Sequence, residues 1–166
     1  PARKQENMIA LMDLLDQRFT LDFMLFVNAP RYKPYLRKLQ RLAKHNQRIR
    51  FRDPVSMPEI AQTINHYDVG IYLMWPGAFN NLMALPNKIF EFIQARLALA
   101  IWPLPEMARI VREYDCGVVA DDFTLEAMAM KLNTLSANDI QQYKNHSHQA
   151  AQIGSAETNR EILLQL

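Results

Sequence analysis

Short apolar segments alternate with helix-favouring segments, and this feature most constrains how the 166-residue chain can fold. Apolar segments of this length, bounded by turn residues, are typical of strands that are buried on both faces. Strands that alternate with helices predict a parallel sheet covered by helices on both sides. We therefore expect an α/β fold of the Rossmann-like, three-layer α/β/α type. Its strands are predicted at 21–27, 48–52, 69–74, 98–102 and 116–120.

Helices are predicted between these strands from apolar residues at helical spacing and from capping residues. Ser56 and Glu59 have the spacing of a capping box, and Thr124 is placed to cap a later helix. The helix-favouring segments are 5–19, 34–45, 58–67, 87–97, 105–114, 125–135 and much of 138–166.

The first predicted helix has no strand before it, although a doubly wound domain normally begins with a strand. The chain also begins with Pro1 rather than methionine, which indicates a cut or processed end. We therefore expect that the first strand of the sheet is missing from residues 1–166, which otherwise form a single domain.

Composition excludes several classes of protein. Apolar residues make up 49% of the chain and charged residues 22%, as in folded soluble domains. No apolar segment is long enough to span a bilayer, and no signal-peptide pattern opens the chain. The single cysteine, Cys116, excludes a disulfide framework and fits the reducing cytoplasm. We favour a role for it as a small turn residue over a role as a nucleophile.

Positive charge is concentrated in one segment of the sequence. From Phe23 to Arg52 there is no acidic residue, and nine of the nineteen basic residues lie between Arg31 and Arg52. A solvated helix face is the simplest interpretation, and peripheral attachment to an anionic membrane is the alternative. Few aromatic residues are interleaved with these charges, so we expect no nucleic-acid binding. The basic residues are Arg31, Lys33, Arg37, Lys38, Arg41, Lys44, Arg48, Arg50 and Arg52.

Phosphate binding would have to use a helix N-terminus, because the four glycines form no glycine-rich phosphate loop. The helix predicted from residue 87 follows a strand and a loop, so its N-terminus should point towards the ligand-binding edge of the sheet. Lys88 in its first turn opposes the helix dipole, which makes sense if an anion binds nearby. Glu91 shares its face, and a carboxylate can accept hydrogen bonds from a ribose diol. Spacing alone favours a surface ion pair between the two.

These residues lie in a segment that resembles a known family. The sequence LPNKIFEF at 85–92 is followed by a strand, a Pro-Glu pair that opens a helix, and a glycine before two valines. This pattern resembles the C-terminal domain of GT-B retaining glycosyltransferases of the group 1, or family 4, kind. The preceding elements also come in a similar order, so the resemblance covers most of the chain. It implies that residues 1–166 are the nucleotide-sugar donor-binding domain, without the N-terminal acceptor domain.

The resemblance implies roles for individual residues. Glu91 would bind the ribose hydroxyls of the donor, and the helix start from Pro86 to Ile89 would meet the diphosphate. The loop after the second predicted strand would contact the nucleobase. A basic residue near the start of the chain would neutralise the diphosphate. The implied donor site therefore comprises Pro86, Asn87, Lys88, Ile89, Glu91, Phe51, Arg52, Asp53, Arg3 and Lys4.

The sequence departs from the family pattern at three positions. Many relatives carry a second glutamate where Met83 stands, a glycine where Arg96 stands and a proline where Ala98 stands. The absence of the second glutamate removes an implied contact with the donor sugar. Such departures are compatible with a subgroup of the family or with a degraded site.

The resemblance implies that the full enzyme transfers a sugar from a nucleotide-diphosphate donor to a glycan or lipid-linked acceptor, as in bacterial polysaccharide biosynthesis. We expect it in the cytoplasm or at the inner face of the membrane. No metal or other cofactor is expected, because the family uses no Asp-x-Asp motif. Catalytic residues are not assigned, and residues 1–166 alone should bind nucleotide weakly and transfer nothing. The alternatives are a nucleotide-sugar epimerase of the same fold and a non-catalytic domain that retains the fold.

Overall fold

A computed structural model of the chain describes residues 4–27, 29–77 and 83–153. Helices and strands alternate along these residues, as the apolar pattern predicts. The elements in chain order are α1 (Glu6–Leu11), β1 (Leu21–Met24), α2 (Lys33–Ala43), β2 (Ile49–Arg52), α3 (Ile60–Ile64), β3 (Val69–Tyr72), α4 (Asn87–Gln94), β4 (Ala98–Ile101), α5 (Pro105–Glu113), β5 (Gly117–Val119), α6 (Leu125–Thr134) and α7 (Ala137–Ile153). The last part of the predicted C-terminal helix, 154–166, lies outside the described residues.

All of the observed strand pairs are parallel. Strand β1 pairs with β2, with Leu21 opposite Ile49. Strand β4 pairs with β3 on one side and with β5 on the other, so that the order is β3-β4-β5. The predicted α/β class with a parallel sheet is confirmed. Among the described residues, which begin at residue 4, no strand precedes α1.

The core is centred on β4. All four of its residues are buried, because helices cover the strand on both faces. Helices α1, α2 and α6 form one contacting group, and α3, α4 and α7 form a second. This arrangement gives the three layers that the sequence predicts. In the part of the chain that the structure describes, no helix is long and apolar enough to cross a membrane.

Helix α1 ends well before residue 19, the predicted limit. The guanidinium of Arg48 accounts for the difference, because it donates to main-chain carbonyls that a longer helix would have used internally. One nitrogen of Arg48 lies 3.2 Å from the carbonyl oxygen of Leu15. The other nitrogen donates to the carbonyl of Met12. One of the nine clustered basic residues therefore has a structural role.

Both predicted helix caps are confirmed. The backbone N–H of Ser56 donates to the carboxylate of Glu59 at 3.2 Å, as in a capping box, although the first turn there is a 3-10 turn. The hydroxyl of Thr124 accepts a hydrogen bond from the backbone N–H of Ala127 at 3.2 Å, at the start of α6.

Arg96 adopts a left-handed backbone conformation, with φ of 60°. It follows the C-cap of α4 in a Schellman motif, in which its N–H bonds to the carbonyl of Ile93 at 2.9 Å. The N–H of Leu97 bonds to the carbonyl of Phe92 at 3.0 Å. Glycine is the residue that adopts this conformation without strain, which explains why relatives would carry it there. The difference from the family pattern at Arg96 therefore affects the C-terminal end of α4, whereas the predicted donor site lies at the N-terminal end.

Replacing Arg96 with glycine should stabilise the protein by about 1 kcal/mol, because the left-handed conformation then costs nothing. Urea unfolding followed by circular dichroism measures this free energy. The matched control is Arg37→Gly, at an exposed position inside α2, which should destabilise by about 1 kcal/mol. A loss of stability in Arg96→Gly would contradict the strained conformation.

Candidate functional site

The carboxyl ends of parallel strands meet at one edge of a sheet, where α/β proteins bind ligands. A cavity of about 750 Å³ opens beside β1 and β3 and is lined mainly by apolar side chains. Three of the predicted site residues line it: Arg52, Lys88 and Glu91. The structure therefore brings together residues that are distant in sequence and that belong to two predicted parts of the donor site.

Lys88 and Glu91 form an ion pair one turn apart on α4. The Lys88 Nζ lies 3.1 Å from Glu91 Oε2. The Glu91 side chain is 19% exposed and the Lys88 side chain 41%, so the pair lies at the boundary between the cavity and solvent. This is the ion pair that the spacing alone favoured, and it holds both polar groups at the cavity.

Helix α4 begins after Pro86, and the extended backbone of Pro86 identifies this residue as the N-cap. The N–H groups of Asn87 and Lys88 belong to the first helical turn, which has no intrahelical acceptor for them. The N–H of Ile89 already bonds to the carbonyl of Pro86 at 3.1 Å. The Ile89 side chain is completely buried and anchors the helix start in the core. Two amides, those of Asn87 and Lys88, are therefore the ones best placed for an anion.

The end of β2 is tied to β1 by polar and aromatic contacts. Arg52 Nε and the Tyr67 hydroxyl each lie 2.7 Å from the same carboxylate oxygen of Asp22. Burial alone would raise the pKa of Asp22, but the hydrogen bonds from Tyr67 and Arg52 outweigh it and hold the pKa below its ordinary value. Phe51 stacks on Phe23, with ring centroids 5.3 Å apart. Phe51 and Arg52 are therefore both held by contacts within the protein.

The remaining predicted residues lie at the periphery. Asp53 is exposed and lines a shallower cavity of about 380 Å³ with His66. The Lys4 Nζ lies 3.9 Å from the ring centroid of Trp75, just beyond the end of β3. This cation–π contact places Lys4 at the same edge of the sheet as the start of α4. Arg3 lies outside the described residues.

Several residues at this edge were not identified from the sequence. The hydroxyl of Tyr35 donates to the carboxylate of Glu6 and accepts from the backbone N–H of Gln5 at 3.0 Å. Burial and the carboxylate of Glu6 raise the pKa of Tyr35 to about 12. One feature of the sequence could have identified Asp22, because it is an acidic residue inside an apolar segment. Nothing local in the sequence marks Tyr35, because its partners are about thirty residues away.

Two kinds of chemistry find no support in the part of the chain that the structure describes. Over residues 4–27, 29–77 and 83–153, no cluster of three or more His, Cys, Asp or Glu residues could hold a metal ion. Cys116 directly follows the turn at 114–115 and is completely buried in the core, and burial raises the pKa of its thiol to about 11. A thiolate nucleophile at neutral pH is therefore disfavoured.

Comparison with known proteins finds a similar structure but no similar sequence. No protein-family model matches the chain, and no curated protein matches it in sequence. The crystal structure of WaaG, a glycosyltransferase involved in lipopolysaccharide biosynthesis, superimposes with a TM-score of 0.66 at 14% sequence identity. The match covers 91% of this chain and 40% of WaaG. The chain therefore has a glycosyltransferase-like, Rossmann-like α/β fold and spans less than half of that enzyme's length.

Replacing Asp22 with asparagine should lower the free energy of unfolding by about 1–3 kcal/mol at pH 7, because charge-assisted hydrogen bonds from Arg52 and Tyr67 are lost. The folded-state pKa of Asp22 lies below its ordinary value, so its charge stabilises the fold above about pH 4. That contribution disappears as the pH falls through the folded-state pKa.

Urea unfolding of the wild type and Asp22→Asn, measured between neutral pH and about pH 3, tests this expectation. The two proteins should differ most at neutral pH and converge in acid. Tyr67→Phe is the matched control, since it removes one of the two donors and should cost less. Equal stability of Asp22→Asn and wild type at pH 7 would show that the carboxylate contributes nothing.

Proposed function

We propose that this chain is the nucleotide-sugar donor-binding domain of a GT-B glycosyltransferase of the group 1, or family 4, kind. In this proposal, residues 1–166 are the C-terminal half of a two-domain enzyme. The other half would bind the acceptor, a glycan or a lipid-linked saccharide. The glycosyltransferase-like fold supports the class, and the residues beside β3 support the donor role.

One observation carries the proposal: Lys88 in the first turn of α4 and the carboxylate of Glu91, one turn further on, line the same cavity. The amides of Asn87 and Lys88 and the Lys88 ammonium would meet the diphosphate. The Glu91 carboxylate, one turn further on, would accept hydrogen bonds from the two ribose hydroxyls. A nucleoside diphosphate has these two groups next to each other, in the same order as the helix offers their partners.

The ion pair between Lys88 and Glu91 would open when the donor binds. Lys88 would exchange a carboxylate partner for the diphosphate, and Glu91 would exchange an ammonium for the ribose diol. Because both side chains keep a partner throughout, neither charge is left buried and unpaired. When the sugar departs, negative charge develops on the leaving diphosphate. The helix amides and Lys88 would then stabilise it without a bound metal.

Residues at the other strand ends would complete the donor site. Arg52 and Asp53 at the end of β2, with Phe51 before them, would contact the nucleobase. Lys4, held over Trp75, would add positive charge near the diphosphate, and Arg3 would do the same. Use of Arg52 would require it to share or leave the carboxylate of Asp22. The catalytic residues for sugar transfer remain unassigned in this proposal.

Two other functions compete with this proposal. A nucleotide-sugar epimerase of the same fold would bind its substrate in the same way, and analysis of the products of the full protein separates the two. A non-catalytic domain would have lost donor binding. Met83, at the position of the second glutamate, is 46% exposed and offers no hydrogen bond to a sugar hydroxyl. Arg96 gives this alternative no weight, because it affects the far end of α4.

Glu91→Ala should weaken binding of UDP or GDP about tenfold or more, because two hydrogen bonds to a charged carboxylate are lost. Isothermal titration calorimetry with each nucleotide measures the dissociation constant. The matched control is Glu113→Ala, which breaks an ion pair with Arg109 at the far end of α5 and should leave the affinity unchanged.

Two results would contradict the donor role of Glu91. The first is equal affinity of wild type and Glu91→Ala for both nucleotides. The second is the absence of binding to wild type at about millimolar nucleotide when the acceptor-binding domain is also present. The second result would favour the non-catalytic alternative.

We also propose that the enzyme works at the inner face of the membrane, in contact with anionic lipid through α2. Three of the nine clustered basic residues have acidic or carbonyl partners within the fold: Lys38, Arg48 and Arg52. On α2, Arg37 and Arg41 are exposed on one face, and Lys44, the exposed C-cap residue, continues that face. A basic helix face suits an anionic bilayer surface.

Sedimentation with phosphatidylglycerol-containing vesicles should show binding that weakens with salt, and neutral vesicles should bind little. The double variant Arg37→Glu with Arg41→Glu should lose this binding, since each cation contributes about 1 kcal/mol near such a surface. Arg96→Glu with Arg112→Glu makes the same change in net charge elsewhere and should bind like wild type. Binding that is insensitive to salt, or lost equally in both double variants, would exclude a specific contact through α2.

A further inference from the structure

Phe26 is the most exposed of the large apolar side chains that the structure describes, at 77%. It lies two residues beyond the end of β1 and lines the cavity of about 750 Å³. Aromatic rings of this size are mostly buried in folded proteins, and here water covers most of the ring. A ring held in this way at a ligand cavity is available to stack on a flat ligand.

Three other aromatic rings at this edge are already in contact with a second ring or with a cation. The rings of Phe51, Tyr32 and Trp75 lie 5.3, 4.9 and 3.9 Å, respectively, from the ring of Phe23, the guanidinium of Arg31 and the ammonium of Lys4. Among the described residues, Phe26 has no contact of either kind. Of these four rings, Phe26 is therefore the one that a ligand can meet without displacing a protein group.

The proposed donor site directs the nucleobase towards Phe26. In a nucleoside diphosphate, the diphosphate is attached through C5′ and the base through C1′, at opposite ends of the ribose. With the ribose hydroxyls at Glu91 and the diphosphate at Lys88, the base must point away from the start of α4. The cavity that Lys88 and Glu91 line is also lined by Phe26, Arg52 and Pro54, which follow or end the strands β1 and β2.

The register of β1 and β2 relates Phe26 to the residues already proposed to contact the base. Met24 is opposite Arg52 at the last position of this parallel ladder. Phe26 and Pro54 each follow two residues later in their own segment, and both line the cavity. Apolar surface for the faces of a base and a guanidinium for its polar edge therefore come from neighbouring positions at one edge of the sheet.

We propose that Phe26 is the stacking partner of the donor's nucleobase, an inference that rests on the proposed donor-binding function. The ring lies against one face of the base and leaves the polar edges of the base to Arg52 and to main-chain groups. Because every base has a π-face, Phe26 raises the affinity for the nucleotide without selecting one base over another. The donor site then has a partner for each of the three parts of the nucleotide.

Isothermal titration calorimetry with UDP and GDP tests this role in Phe26→Ala, Phe26→Leu and Phe26→Trp. Alanine and leucine should each weaken binding about tenfold, because leucine keeps apolar bulk but has no π-face. Tryptophan should bind at least as tightly as wild type. Its added fluorescence should be quenched by bound nucleotide beyond the change seen in wild type. The matched control is Met57→Ala, which alters a side chain that is 69% exposed and does not line the cavity, and it should bind like wild type.

Nucleotide binding by wild type that is unchanged in Phe26→Ala or in Phe26→Leu would overturn the stacking role and leave the proposed donor function intact. An equal loss in Met57→Ala would overturn it as well. No binding of either nucleotide by wild type would instead overturn the donor function itself, and the inference with it. Loss of binding to phosphatidylglycerol vesicles in Phe26→Ala, with full affinity for nucleotide, would show that the ring contacts lipid rather than a base.

Discussion

Burial of β4 on both faces is the constraint on which the rest of the structure depends. A strand with no exposed face must be covered by helices on both sides, and its neighbours β3 and β5 must run parallel to it because those helices connect them. The direction of the three strands brings their carboxyl ends to one edge. The start of α4 lies at that edge because it follows β3, and Ile89 fastens it there through a fully buried side chain.

The cavity between β1 and β3 links the fold to the proposed function. In a doubly wound sheet the ligand binds where the strand order reverses. Lys88 and Glu91 line this cavity, so the residues of the proposed donor site lie beside β1 and β3.

The predicted site residues show which contacts a local sequence pattern can predict. The proximity of Lys88 and Glu91 was predictable, because residues three apart on a helix share a face. The link between Arg52, Asp22 and Tyr67 was not, because it joins residues that are thirty and forty-five positions apart. The helix after residue 5 was predicted too long for the same reason: Arg48 takes over carbonyls of a segment far from it in sequence. The sequence alone left open that Arg96 marks a degraded site. Its left-handed backbone shows instead that it belongs to the C-terminal cap of a helix.

The sequence by itself determined the fold class, the order of the elements and the helix caps. Those depend on apolar spacing and on contacts between residues a few positions apart. Only the tertiary structure decided that the strands form two separate sheets, and that the interval between them is walled by β1 and β3. Only the tertiary structure showed which basic residues have partners within the fold. Strand neighbours and long-range ion pairs depend on how distant segments pack, and no local pattern records that packing.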